Sequence, residues 1–331
     1  MPATIRDIRE QTGLSLATIS KYLNGGNVLP ENKVKIDAAI KDLHYEVNEI
    51  ARGLVTNKTR TIGVVVFSVE RIFCGTLIRY IGERLRREGY GMLICDSSSD
   101  EEIEAQNIRF LLSKKVDGII VIPVSGSKQF LEPAKNAGVP VVLVDRPVSD
   151  SDFDCVKIDN RVAAIKAVEL LIKNNHKDIA IIYGNEVTGS ERYKGFLDAM
   201  ESAGLKVNKD YCFSGRHSME FGYQSMSKLL AMKKRPTAVF MTNYELTLGA
   251  VMAVNESRLK CPDDISMIGF DDLVLSHVLN PRMYMVAQPM KEMGEKAAEM
   301  ILAHINSEEE SSAVEINLST KILEGNSISK I

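Results

Sequence analysis

Ser15-Leu-Ala-Thr-Ile-Ser-Lys-Tyr-Leu-Asn24 is the stretch whose reading decides the architecture. Ser15 offers a hydroxyl where a helix can start, and Ile19 and Leu23, four residues apart, share one face of that helix. Upstream, Thr4-Ile-Arg-Asp-Ile8 reads as an earlier helix start, with Thr4 as the cap and an acid, Asp7, three positions on. Ile5, Ile8 and Leu14 supply its apolar stripe, and Gly13 breaks the chain into a tight turn. Two short helices around a Gly-containing turn predict a helix-turn-helix whose second helix fits a DNA major groove. On that helix the N-terminal amides, Thr18 and Ser20 suit phosphates, Leu16 and Ala17 suit thymine methyls, and Lys21 suits a guanine edge. A capped helical hairpin buried in any core would carry the same spacing, so the rest of the chain has to arbitrate.

Length comes first. At 331 residues there is room for two or three domains with full cores, and 45% hydrophobic with 26% charged residues describes an ordinary globular chain. A net charge of −3 advertises no global basic field; residues 1 to 60 carry nine Lys/Arg against seven Asp/Glu, leaving −5 for the remainder. Cys74, Cys95, Cys155, Cys212 and Cys261 are scattered and odd in number, which favours a reducing, cytoplasmic setting over a disulfide framework or a metal site. There is no signal-peptide pattern and no apolar run long enough to span a membrane. The five histidines show no ligand spacing, and no GxSxG, HExxH, GxxxxGK[ST] or GxGxxG is present. No cofactor is expected and no catalytic residue is nominated.

Beyond the reading helix, Pro30 and the spacing of Ile36, Ala39, Ile40 and Leu43 predict a third helix over about 30–43. Asn48-Glu-Ile-Ala-Arg-Gly-Leu-Val55 predicts a short helix capped by Asn48, but Gly53 and the polar run Thr56 to Arg60 make it marginal alone in water. A helix that orders only on DNA would present Leu54 as a wedge for the minor groove; a plain linker is the simpler alternative. From Thr61 the pattern changes to apolar strands alternating with helices, four strand-helix units before about residue 158 and a similar set after it. That alternation predicts an α/β architecture of two doubly wound, parallel-sheet lobes. Ligands of such sheets lie beyond the carboxyl ends of the strands. Those ends carry Phe67-Ser68, Asp96, Pro123, Asp145-Arg146, Tyr183-Gly184, Thr242-Asn243 and Phe270-Asp271-Asp272, with Arg192 at the start of a helix and Gln288 after a late strand. Carboxylates, amides, an arginine and aromatics together suit a polyhydroxylated ligand.

The order of these motifs resembles transcription regulators of the lactose-repressor (LacI) type from Thr4 to about Leu302. The residues that carry the resemblance are Thr4–Ile8, Gly13–Asn24, Asn48–Arg52, Arg60–Val64, Val116–Ile120, Glu191–Phe196, Pro236–Phe240, Pro262–Ser266, Gly269–Asp272 and Gln288-Pro289. It implies a helix-turn-helix domain (1–47), a hinge helix and linker (48–60), a core N-subdomain (61–158 with 289–316) and a core C-subdomain (159–288 with 317–331) like a periplasmic binding protein. It further implies a homodimer on a pseudo-palindromic operator, acting as a repressor of carbohydrate genes under a small sugar-like effector. DNA contacts are then expected from Thr4, Ser15, Leu16, Ala17, Thr18, Ser20, Lys21, Asn24, Asn48 and Leu54. Effector contacts are expected from Phe73, Asp145, Arg192, His217, Asn243, Asp271 and Gln288.

Several positions depart from the family pattern. Lys21 stands where arginine is usual, Val47 replaces a proline, Glu49 replaces a basic residue and Leu29 stands where a serine often caps. Arg71-Ile72-Phe73 replaces Asn-Pro-Phe, and Arg216-His217 replaces an acid and an aromatic. The extra arginines raise an anionic effector as an option, although surface placement of both is the simpler expectation. An exported sugar receptor, a glycoside-cleaving enzyme and a phosphocarrier-dependent regulator are the remaining alternatives.

Overall fold

Continuous apolar strands can only be buried on both faces, and the chain folds accordingly. The computed structural model describes residues 3–46, 52–53, 58–148, 152–272, 278–307 and 312–331. Asn48 and Leu54, the two hinge residues singled out from sequence, lie outside the described residues.

The N-terminal helices are α1 (Ile5–Thr12), α2 (Leu16–Leu23) and α3 (Pro30–Asp42). Ile8, Ile19, Ile36 and Ala39 are buried together, with Ile5, Leu14, Tyr22, Leu23, Ile40, Leu43 and Tyr45 packed around them. The Asp7 carboxylate accepts from the Thr4 amide (2.6 Å) and the Thr4 hydroxyl (2.8 Å), which fixes the start of α1. Gly13 ends α1 at φ +70°, and its amide donates to the Arg9 carbonyl. Leu29 gives α3 no side-chain cap, so Pro30 at the first turn sets that start alone.

Lobe one contains β1 (Thr61–Val66), α4 (Ile72–Arg87), β2 (Gly91–Asp96), α5 (Glu101–Ser113), β3 (Gly118–Val121), α6 (Glu132–Asn136), β4 (Val141–Val144) and β5 (Asp154–Ile158). Lobe two contains α7 (Asn160–Lys173), β6 (Ile179–Gly184), α8 (Val187–Ser202), β7 (Cys212–Gly215), α9 (Met219–Leu230), β8 (Ala238–Met241), α10 (Tyr244–Glu256), β9 (Ser266–Phe270) and β10 (Tyr284–Ala287). The chain then returns to lobe one through α11 (Met290–Asn306) and β11 (Glu315–Leu318), and finishes in lobe two with β12 (Lys321–Leu323). Strand order is β2-β1-β3-β4-β5-β11 in the first sheet and β7-β6-β8-β9-β10-β12 in the second. All described pairings are parallel except β10 with β12. The two-lobed α/β architecture read from the sequence is present.

Three details differ from the sequence reading. The edge strands β7, β11 and β12 and the helix α11 were not anticipated, because the edge strands are short and half-polar. Helices α4 and α8 begin about four residues earlier than their apolar spacing predicts, since their first turns follow the strands closely and carry few apolar residues. Arg192 therefore sits in the second turn of α8 instead of opening it.

Helices α9 and α10 touch backbone to backbone: a Cβ added to Gly249 would lie 1.9 Å from the Met219 carbonyl oxygen. Because only glycine permits that crossing, Gly249→Ala is expected to force the helices apart and destabilise the protein by about 1–3 kcal/mol. Urea unfolding of the variant against wild type measures it.

Candidate functional site

The reading head is built by caps. Ser15 Oγ accepts from the Thr18 amide (3.1 Å) and lies 2.9 Å from the Thr18 hydroxyl, while Asn24 Nδ2 donates to Ser20 Oγ (3.3 Å). Ser15, Ala17, Lys21 and Asn24 are exposed, as is Thr4 on α1; Leu16, Thr18 and Ser20 are half-buried and Ile19 is buried. The structure thus gathers all the described DNA-contact candidates except Thr4 along one helix and its ends. The Lys21 stem lies against Gly26, where a Cβ would come within 2.7 Å of Lys21 Cγ. Tyr22 donates its hydroxyl to Asp37 (2.5 Å), which ties α2 to α3 and raises the Tyr22 pKa.

The second site is a cleft of about 170 Å3 between the lobes, at the carboxyl ends of both sheets. Its walls include every residue proposed from sequence for the effector: Phe73, Asp145, Arg192, His217, Asn243, Asp271 and Gln288. They also include Phe67, Arg71, Arg146, Glu186, Tyr244 and Glu245.

Two aspartates face one another across it from equivalent places. Asp145 follows β4 and Asp271 follows β9, each the fourth strand of its lobe. Both adopt left-handed backbone, with φ of 71° and 70°. Each amide donates to the neighbouring strand, Asp145 to the Val156 carbonyl and Asp271 to the Val286 carbonyl, both at 2.9 Å. A non-glycine residue held at positive φ costs on the order of 1 kcal/mol, and such strain gathers at sites of function. Burial, opposed by Arg146 and Arg192 and reinforced by Asp271, pushes the Asp145 carboxyl above its ordinary value.

Buried cations hold the walls. Arg192 is buried, donates to Asn160 Oδ1 (2.8 Å) and the Thr242 carbonyl (2.5 Å), and stacks 3.6 Å from the Phe270 ring centroid. Arg146 stacks at 4.5 Å on Phe67 and donates to the carbonyls of Pro123 (3.2 Å) and Val124 (3.0 Å) in lobe one, and to Glu186 (3.1 Å) in lobe two. Glu186 also lies 3.0 Å from His217 Nδ1. Burial raises the Glu186 carboxyl, but the hydrogen bond and charge of His217, with Arg146 and Arg71, outweigh it and bring it down to about 2. Arg71 pairs with Glu245 across the mouth of the cleft. This corrects one expectation: Arg216 is exposed as the simpler reading had it, whereas Arg71 lines the cleft. Asn243 spends its oxygen capping α10 on the Leu246 amide (2.9 Å). Gln288 donates to Asp271 (2.6 Å).

What remains open is informative. Asp145 Oδ1, Arg146 Nε, His217 Nε2 and Gln288 Oε1 are buried without a hydrogen-bond partner. Buried polar atoms are nearly always satisfied, so four orphans around one cleft, two from each lobe, mark the place of a polar ligand. The sequence reading missed Glu186 and Glu245, because glutamates that open a helix look like ordinary first-turn acids. It also missed Glu104, buried in α5, which accepts from the Val124 amide (2.8 Å) behind the cleft. Among the described residues no cluster of metal-ligating side chains occurs, and no helix is long and apolar enough to cross a membrane.

Two measurements follow from this geometry. Burial raises the Glu104 carboxyl from 4.5 to about 7. The folded chain then holds a proton that the unfolded chain has released, so stability falls as pH rises from 4.5 to 7. Glu104→Gln is expected to melt like wild type at pH 5 and higher at pH 8, by on the order of 2 kcal/mol. Equal melting curves at pH 8 would refute it. Arg71→Ala and Glu245→Ala should each widen the cleft in small-angle scattering, whereas the exchange Arg71→Glu with Glu245→Arg should restore wild-type dimensions.

Comparison with known proteins places this geometry. Residues 59–322 match the family model described as periplasmic binding proteins and sugar binding domain of LacI family. The chain is 33% identical over 316 residues to the HTH-type transcriptional repressor PurR of Pasteurella multocida, covering 94% of this chain and 95% of that one. It is 32% identical over 318 residues to the catabolite control protein A of Priestia megaterium, covering 95% and 96%. The fold superposes on the crystal structure of the Lac repressor dimer bound to operator and the anti-inducer ONPF with a TM-score of 0.89, at 22% identity over 99% of this chain and 100% of that one.

Proposed function

The chain belongs to the LacI family, and we propose that it is a transcriptional repressor that grips a pseudo-palindromic operator as a homodimer and is switched by a small polar effector between its lobes. It is not an enzyme: its relatives are repressors. The observation that carries the reading is the union, on one chain, of an exposed capped recognition helix and a cleft whose buried polar atoms lack partners. A receptor would need only the second.

Within this reading Leu16, Ala17 and Lys21 touch base edges, Thr4, Ser15, Thr18, Ser20 and Asn24 position the helix on phosphates, and the Asn48–Leu54 segment enters the minor groove. The protein works in the cytoplasm, where its DNA is. In the cleft three arginines face four carboxylates, and each arginine already has a carboxylate or carbonyl partner inside the protein. The open atoms Asp145 Oδ1 and Gln288 Oε1 call for hydroxyl or amine donors from the ligand, and Arg146 Nε calls for an acceptor, both of which a hydroxyl provides. That balance supports a neutral, hydroxyl-rich, sugar-like effector over an anionic one. Binding it favours one separation of the lobes, and this selects the posture of the reading heads.

Recovery of genomic fragments on the purified protein, followed by titration of a panel of neutral and phosphorylated sugars, tests the proposal. A palindromic site whose affinity shifts with a neutral compound is the expected result, and indifference of the site to every compound would count against the switch. Asp271→Ala is expected to keep operator binding and lose most of the effector response.

A further inference from the structure

We infer that the amino edge of the first sheet is a second DNA-contacting surface, which takes phosphates of the duplex held by α2. This rests on the reading of the chain as an operator-binding repressor.

The register of the sheet sets the surface. Thr61 of β1 lies level with Gly91 of β2, and Ile62 with Gly118 of β3. Residues just ahead of these three strands therefore share one edge. They are Arg60 before β1, Arg86 and Arg87 in the last turn of α4, and Lys114 and Lys115 at the end of α5. All five are exposed. The effector cleft opens at the opposite edge, so these cations have no part in it.

The described acids of this edge already hold hydrogen-bond or ion-pair partners, and Glu83 also feels the charges of Arg86 and Arg87. Asp117 accepts the amides of Thr59 (2.7 Å) and Arg60 (2.9 Å) and the Thr59 hydroxyl (2.9 Å). Glu88 pairs with Arg84 at 3.0 Å and Glu83 with Arg79 at 2.9 Å. Glu308, Glu309 and Glu310 lie outside the described residues. Among the described residues no ion pair joins a carboxylate to any of the five cations. Arg60 lies across the turn at Gly89, where a Cβ would come within 3.2 Å of its Nη1. Lys114 Nζ rests 5.2 Å from the Phe110 centroid, which restrains its charge near the surface.

Connectivity supplies the partner. The chain leaves this edge at Arg60 for the reading head, and the fourteen residues back to Glu46 reach at most about 50 Å even when fully extended. A duplex gripped by α2 is therefore tethered within that span of the five cations. The 59 residues ahead of Arg60 carry a net charge of only +1, a weak electrostatic hold on a polyanion. The edge adds the missing positive field, independent of base sequence.

Salt dependence separates phosphate contacts from merely solvated charges. The full-length protein, Arg86→Ala/Arg87→Ala and Lys114→Ala/Lys115→Ala are titrated with the recovered operator and with a random-sequence duplex over a range of sodium chloride concentrations. Each double variant is expected to bind both duplexes severalfold more weakly, with a slope of log affinity against log salt shallower by about 0.9 for each phosphate no longer neutralised. Arg86→Lys/Arg87→Lys is expected to keep the slope, and effector titration and melting temperature, read on the same samples, to match wild type. Unchanged slopes in both double variants overturn the inference while leaving the repressor reading intact. Failure of the wild-type protein to bind any duplex overturns the repressor reading itself.

Discussion

One buried guanidinium organises the core. A charge taken out of water must be matched on several sides. The partners of Arg146 come from both lobes: two backbone carbonyls and the Phe67 face on one, Glu186 on the other. The separation of the lobes is therefore an electrostatic matter as well as a packing one. Opening the cleft strips Glu186 from Arg146 and Arg71 from Glu245 together, and a ligand seated between them competes on the same terms. His217 extends the set by filling the space where a side chain at Gly184 would have been: a Cβ there would fall 1.9 Å from His217 Nε2.

The geometry also gives the cleft leverage over the DNA. Strand β1 runs from Thr61, at the hinge, to Val66, immediately before Phe67 in the cleft wall. Helix α4 runs the same span in the opposite sense, from Arg71 and Phe73 at the ligand to Arg86 and Arg87 at the far edge. Strand β1 is paired on both sides and α4 packs against β2 and α11, so a tilt of lobe one at the cleft reappears at the other end. No wire of coupled side chains is required, only a stiff body with the two sites at its ends.

Much of this was legible beforehand for a simple reason. A parallel sheet needs uninterrupted apolar strands, and its ligands need the residues that follow them, so reading to the end of each strand reached Asp145, Asn243, Asp271 and Gln288 directly. The illegible part was whatever tertiary context alone decides. Strands β7, β11 and β12 are edges, half wet, without apolar runs to betray them. Glu186 and Glu245 sit at helix starts where an acid is unremarkable until an arginine from the facing lobe arrives. Glu104 sits in the turn after a capping aspartate and reads as an exposed first-turn acid; only the fold buries it. Arg71 reads as a surface residue because no local pattern tells a cation at a cleft mouth from one in water. The Ser15 cap was readable because a capped helix start is a local event, complete within four residues.

The threading of the chain has one more consequence, which concerns its synthesis. Residues 160–287 form lobe two as an insertion, and the last segments of the sequence then supply α11 and β11 to lobe one and β12 to lobe two. Gly118 of β3 rests against Ile301 of α11, and His304 of α11 lies 2.7 Å from Asp154 of β5, so the first sheet stays uncovered on that face until the ribosome has passed residue 306. A chain released early carries its reading head but neither lobe in finished form. Closure of the first sheet's apolar face therefore waits on a segment separated from β5 by residues 160–287 of lobe two.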